Sequence, residues 1–243
     1  MTQMADKNIS NITYNFLHLP QQITHAGNNI SYTYRADGLK LKKVVGTNRV
    51  DYLDGFQYAN NILQFIPTSE GYYDFVNNRY VYHYTDHLGN VRVSYYRNGS
   101  SPTILEESNY YPFGLQHEGY NNYAGNPNYQ YKYNGKELQE TGMYDYGARM
   151  YMPDIGRFGT QDALGEMYYS YSPYGYVANN PIKFIDPTGM WIDIKDGDNT
   201  YRYNNGKLYT QNAETQKWDV EATVTGDSYA GQILSAFPLI GKS

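Results

Sequence analysis

The chain has no cysteine among its 243 residues. That excludes disulfides, thiolate metal sites and a cysteine nucleophile, and it is compatible with either redox compartment. Aliphatic residues are scarce as well. Leu, Ile, Val and Phe together make up under a fifth of the chain, a level at which a strongly charged sequence stays unfolded. Here 19 basic residues face 24 acidic ones for a net charge of −5, so charge does not hold the chain open. Basic clusters are missing, and a protein that works by neutralising phosphates needs a basic face, so nucleic acid is not an expected partner. No apolar run approaches the roughly 18 residues of a membrane helix, and residues 1–10 have no apolar stretch of the signal-peptide kind. Neither a membrane span nor a signal peptide is expected.

What is abundant is tyrosine, with 31 copies. Each ring buries about 150–250 Å² while its hydroxyl reaches water or a partner. A tyrosine-built core is therefore feasible if the hydroxyls are satisfied at its edges.

Periodicity is mostly of period two. Ile30-Ser31-Tyr32-Thr33-Tyr34, Tyr80-Val81-Tyr82-His83-Tyr84 and Val91-Arg92-Val93-Ser94-Tyr95 alternate β-branched or aromatic residues with smaller or polar ones, as half-buried strands do. Each is followed by a turn signal: Asp37-Gly38, His87-Leu88-Gly89-Asn90 and Asn98-Gly99. The chain reads as mainly β, hairpins in series, with short helices expected near Gly135–Gln139 and over Ser228–Ala236, the latter stopped by Pro238. Tyr32–Leu41 and Tyr82–Val93 share one scheme: Tyr-x-Tyr, a turn with glycine, then an alternating strand. Tyr131–Gly135 and Tyr201–Leu208 are looser echoes. One such unit cannot bury its own face, so units must stack or wrap.

These units, followed by Tyr144-Asp145-Tyr146-Gly147-Ala148-Arg149-Met150-Tyr151-Met152-Pro153-Asp154-Ile155-Gly156-Arg157-Phe158 and by the block from Tyr174 through Asp186-Pro187-Thr188-Gly189 to Met190, resemble the YD-repeat and RHS-associated core of bacterial Rhs polymorphic-toxin proteins. The resemblance implies a spiralling β-sheet strip that forms part of a hollow shell, closed by the core motif and followed by a variable toxin segment. It divides the chain into an N-terminal irregular or strand segment (1–30), a YD-repeat-like region (31–143), the core motif (144–190) and the start of a variable region (191–243). With only some four YD-like units, the chain would form a stretch of wall and could not enclose a toxin alone. The implied function is a structural end module that encapsulates or presents a toxin in interbacterial competition. The implied partners are the rest of the shell, its toxin domain and an immunity protein. The implied location is the producer's cytoplasm, then the cell surface or the outside. An open end of such a sheet also invites self-association.

Two other classes compete with that reading. In Rhs cores that release their own toxin, aspartates of two Asp-Pro-x-Gly motifs are implicated. Asp186-Pro187-Thr188-Gly189 matches, with the cut falling between Met190 and Trp191. The first motif stands as Asp162-Ala163-Leu164-Gly165, without its proline. Two carboxylates held close share a proton, so one serves as base and the other as acid. Arg157 is the arginine expected to support them, through a bidentate contact. Against this, Asp-Pro-x-Gly is an ordinary turn, and Arg157 would serve equally as a clamp on tyrosines and Asp154. The other class is carbohydrate binding through Tyr120, Tyr123 and Tyr129 in an Asn/Gly-rich stretch, set against cross-strand tyrosine ladders. His83 and His87 stand four apart around Asp86. On a strand that spacing leaves them about 13 Å apart, too far to chelate one ion. His18, His25 and His117 have no sequence partners. No metal or other cofactor is expected.

Overall fold

The computed structural model describes residues 2–222, apart from 120–122, 124, 169, 170, 197, 198, 205, 206, 213 and 216. The helix expected over Ser228–Ala236 lies outside the described residues. The first sheet has eleven strands: β1 (Ile9–Tyr14), β2 (Pro20–His25), β3 (Asn28–Tyr34), β4 (Lys40–Val45), β5 (Asn48–Leu53), β6 (Phe56–Ala59), β7 (Ile62–Thr68), β8 (Gly71–Asp74), β9 (Arg79–Thr85), β10 (Val91–Asn98) and β11 (Ser101–Glu107). Every strand pairs antiparallel with the next in sequence, so the strip is an open meander that ends at β1 and β11. The expected hairpin turns fall where glycine permits a left-handed backbone, at Gly38 (φ 89°) and Gly89 (φ 78°). Asp86 stiffens its turn by accepting the backbone N–H groups of Leu88 and Asn90 at 3.0 and 3.1 Å.

Two shorter sheets come next in the chain. β12 (Glu137–Leu138), β13 (Tyr144–Asp145), β14 (Met150–Met152) and β15 (Arg157–Phe158) form one, and β16 (Phe184–Ile185), β17 (Ile192–Asp196), β18 (Asn199–Asn204), β19 (Lys207–Thr210) and β20 (Val220–Glu221) the other. Helical structure among the described residues is limited to single turns such as Gly165–Tyr168. The helix expected at Gly135–Gln139 is instead a turn running into β12. Asn134 and Gly135 take positive φ (49° and 65°), which ends any right-handed helix there.

Residues 129–152 run back across the inner face of the strip. Tyr129 packs in a cluster with Phe65, Tyr72 and Val81 of β7–β9. Glu137 meets Lys40, Lys43 and Tyr52 of β4–β5. Met143, Met150 and Met152 complete a cluster with Ile12, Ile23 and Ile30 of β1–β3. The single-layer strip thus gains the second layer that a half-apolar sheet requires.

Tyrosine fills the innermost core, where Tyr133, Tyr144, Tyr146, Tyr151 and Tyr176 are buried with Phe158 and Phe184. Their hydroxyls reach main-chain or amide oxygens. Tyr133 donates to Pro112 O (2.9 Å), Tyr151 to Phe113 O (2.8 Å), Tyr144 to Gly114 O (3.2 Å) and Tyr176 to Asn134 Oδ1 (2.6 Å). One loop carbonyl run therefore satisfies three rings, which removes the desolvation cost of burying their polar tips. On the strip, tyrosines also form a cross-strand pair: Tyr82 and Tyr95 stack directly opposite each other at 5.6 Å.

The chain does not change layer at Met190. β16 precedes it, β17 comes after it, and Phe184 pairs with Ile194 across the two. Ile192, Ile194, Tyr203 and Leu208 are buried in the same core as Tyr146 and Phe158.

Candidate active site

Asp186 sits at the end of β16, where Pro187 and Gly189 impose a tight turn. Gly189 has φ 81°, and a Cβ there would lie 3.1 Å from Arg149 N and 3.2 Å from Tyr146 Cβ, so only glycine fits without displacing the core. Asp186 Oδ1 accepts four backbone N–H groups: Thr188 (3.1 Å), Gly189 (2.6 Å), Met190 (3.0 Å) and Trp191 (3.2 Å). Its other oxygen faces Arg149 Nη2 at 3.5 Å.

The same Nη2 donates to Asp162 Oδ2 at 2.8 Å. Asp162 and Asp186, separated by 24 positions in sequence, therefore converge on one guanidinium nitrogen. Asp162 makes an Asx turn even without the motif's proline, accepting Leu164 N–H on Oδ1 at 2.8 Å. Its own N–H donates to Pro173 O at 2.9 Å.

Arg149 is the residue that sequence reasoning missed. It is 4% exposed, its guanidinium lies 3.7 Å over the Phe158 ring, Nη1 donates to Pro173 O at 3.2 Å, and Nε donates to Gly189 O. Arg157, the expected support, instead donates to Asn179 Oδ1 at 2.6 Å and to Gly156 O at 3.2 Å. Asp154 pairs with Lys7 at 2.7 Å. Both arginines stand in the same block, and no spacing rule distinguishes them. The distinguishing fact is tertiary: Arg149 leads into β14 at the centre of its sheet, facing the Asp186 turn.

Burial pushes the Asp186 carboxyl up to about 6, against the opposing pull of Arg149 and of the turn N–H groups. Burial raises Asp162 too, with Arg149 opposing. Lys136 Nζ donates to Pro187 O at 2.6 Å and fixes the turn from the other side. A cavity of about 30 Å³ is bordered by Arg149, Asp162, Asp186, Met190 and Trp191, room for a water molecule among polar partners. Asp162, Arg149 and Met190 also line a cavity of about 1260 Å³ between the strip and residues 131–149.

The other sequence candidates are dispersed. Tyr120 lies outside the described residues and Tyr123 is exposed. Tyr129 is buried, stacked on Tyr72 at 4.0 Å and edge-on to Phe65 at 4.9 Å, which leaves it without an open ring face. His83 Nδ1 pairs with Ser94 Oγ at 3.0 Å and His87 Nε2 with Ile182 O at 3.1 Å.

No protein-family model matches the chain. Salivary gland surface protein 1 of Aedes aegypti is 37% identical over 119 residues, covering 48% of this chain and 3% of that protein. Toxin subunit YenC2 of Yersinia entomophaga is 40% identical over 67 residues, 26% of this chain and 7% of that protein. The solved structure of TcdB2-TccC3-Cdc42 superposes with a TM-score of 0.61 at 25% identity, over 78% of this chain and 10% of that one. The chain is thus similar in part of its sequence to a toxin subunit and in fold to a TccC3-containing toxin structure, in keeping with the resemblance of its Tyr-x-Tyr units and Tyr144–Gly189 block to Rhs-type proteins. The chain spans at most a tenth of the length of these three relatives. Its eleven-stranded strip is open at both edges, β1 and β11. Among the described residues no helix is long and apolar enough to cross a membrane.

Proposed function

We propose that this segment is a structural end module of an Rhs-type shell in interbacterial competition, and that its Asp162–Asp186 pair cuts the Met190–Trp191 bond and so severs the covalent link to the chain downstream. The observation that carries the cleavage reading is the position of Asp186 Oδ1, 3.2 Å from the nitrogen of Trp191, with Asp162 bound to the same arginine. Asp162, held as carboxylate by Arg149, takes a proton from water as the water oxygen bonds to the Met190 carbonyl carbon. The carbon–nitrogen bond then breaks, and protonated Asp186 gives its proton to the departing Trp191 nitrogen. The products are a Met190 carboxylate and a Trp191 amine. Arg149 keeps the two carboxyls at one place and, through Gly189 O, keeps the turn against them.

The wall function rests on the open eleven-stranded strip and on the partner it requires, the remainder of the shell. A turn-capping role for Asp186 is the competing reading, since four N–H bonds to one oxygen are also what a capped turn needs. Intact mass separates the two. The cleavage reading expects two pieces split after Met190 in the wild type and a single 28.0 kDa species in Asp186→Asn, a variant that keeps an acceptor for the turn. Uncut wild-type chain would leave only the turn. A soluble complex between this chain and the upstream shell of its parent protein, absent when the β1 edge carries proline, would test the wall role.

A further inference from the structure

The segment after the proposed cut is folded against it. The Arg202 guanidinium lies 4.8 Å over the ring of Trp191, the first residue past the bond, and 4.3 Å over the ring of Trp218. Arg202 is fixed against both rings by Asp193, which accepts Nε–H at 2.8 Å and Nη2–H at 2.9 Å. The β17–β18 register places Asp193 directly opposite Arg202, and Asp193 is 1% exposed. Beside the clamp, Tyr168 Oη accepts Ile192 N–H at 3.3 Å while donating to Tyr203 O at 3.2 Å. The two tryptophans of the chain thus pack on one arginine, adjacent to the candidate scissile bond.

We propose that Arg202, locked by Asp193 and packed on Trp191 and Trp218, is a positioning residue for self-cleavage: the downstream strands hold the far side of the bond that the Asp186 turn holds on the near side. The inference rests on the cleavage reading above. Its physical basis is geometric. The Asp186 turn fixes the chain up to Met190, but a peptide bond is held against two carboxyls only if its other end cannot rotate away. A planar guanidinium, fixed by two parallel hydrogen bonds and stacked on an indole, restrains both the distance and the tilt of Trp191. Cleavage is then coupled to folding of residues 192–221, so an unfinished downstream segment is not cut.

The test is cell-free synthesis of the full chain, with the fraction cut followed over time by intact mass. Arg202→Met keeps the stem and its packing without the charge, and cleavage is expected to slow about 10- to 100-fold with the midpoints of the pH–rate curve unmoved. Arg202→Lys restores a cation against the rings and is expected to recover most of the rate, which a purely structural role would not require. Near-UV circular dichroism of the two tryptophans reports the clamp directly and is expected to collapse in Arg202→Met. Should that variant unfold the hairpin, Trp218→Ala decides the matter by removing only the outer ring, with a smaller slowing expected. Wild-type rates in Arg202→Met or, where that hairpin unfolds, in Trp218→Ala would overturn the clamp. So would equal slowing in the Met and Lys variants together with lost protease resistance over 192–221. A wild-type chain that stays whole refutes the cleavage reading itself, and the clamp with it.

Discussion

Asp186 Oδ1 lies 2.6 Å from the nitrogen of Gly189 and 3.2 Å from that of Trp191, so a single oxygen both caps the turn and touches the candidate leaving group. Its pKa determines when it can donate. With the Asp186 carboxyl pushed up to about 6 by burial, cleavage is expected to rise as pH falls from 8 through 6, where Asp186 takes up its proton. It should fall again at lower pH as Asp162, the base, is protonated. A bell with its alkaline limb near 6 is the expected outcome of rates measured across that range. A rate that climbs steadily toward alkaline pH would contradict the assignment of Asp186 as acid.

Arg149 opposes the upward push of burial on both carboxyls. Replacing it with methionine is expected to raise both titration midpoints, that of Asp186 beyond about 6, because desolvation then acts without its counter-charge. Carboxyl-carbon NMR titration of Asp186→Asn and Asp162→Asn chains, each with and without Arg149→Met, assigns the shifts site by site. Unchanged midpoints would mean that Arg149 acts only as a strut for Gly189 O.

A second buried ionic cluster ties the strip to residues 129–152. Burial disfavours the Glu137 carboxylate, but Lys40 and Lys43, with hydrogen bonds from Lys40 and Tyr52, outweigh it and hold the group at about 2 against an ordinary 4.5. A depressed carboxyl contributes stability that is complete above the unfolded value and lost as pH falls through the folded one. About 3 kcal/mol is therefore expected to disappear between pH 4.5 and 2. Urea midpoints measured across that window should drop in the wild type and less in Glu137→Gln. At pH 7 the Glu137→Gln chain should be less stable by about 3–5 kcal/mol, because Lys40 and Lys43 are left buried with fewer partners.

The eleven-stranded strip was largely legible in the sequence. Alternation at Ile30–Tyr34, Tyr80–Tyr84 and Val91–Tyr95 and the Asp37-Gly38 and Asn98-Gly99 turns are local signals, and antiparallel hairpins are local structures. Asp162 and Asp186 could be nominated from their motifs, but their convergence on Arg149 could not. That contact depends on which face of the small β12–β15 sheet meets the Asp186 turn, a tertiary fact with no periodic trace. Gly135–Gln139 shows the converse error, a stretch read as a helix where positive φ at Asn134 and Gly135 makes a turn running into β12. The fate of the chain beyond Met190 was also hidden. The resemblance implied the start of a variable region at 191, and Ile192, Ile194, Tyr203 and Leu208 fill the same core as Tyr146 and Phe158.

That shared core decides whether the pieces part after a cut. Hydrolysis at Met190–Trp191 removes one covalent bond but leaves β17 paired with β16, through Phe184 with Ile194 and Ile185 with Asp193. Ile194 is fully buried and Leu208 nearly so, and each such side chain contributes about 1.5–3 kcal/mol when kept from water. The new Trp191 ammonium also arises beside Asp186 Oδ1, where an opposite charge is favoured over a neutral amide. The two pieces are therefore expected to co-elute in size-exclusion chromatography and to separate only in denaturant. Ile194→Ala leaves the Asp186 turn intact but opens a cavity in the shared core, a change that costs about 2–5 kcal/mol. In that variant the cut pieces should part at far lower urea than in the wild type. Separation of the wild-type pieces without denaturant would show that the strand pairing holds only while the bond is intact.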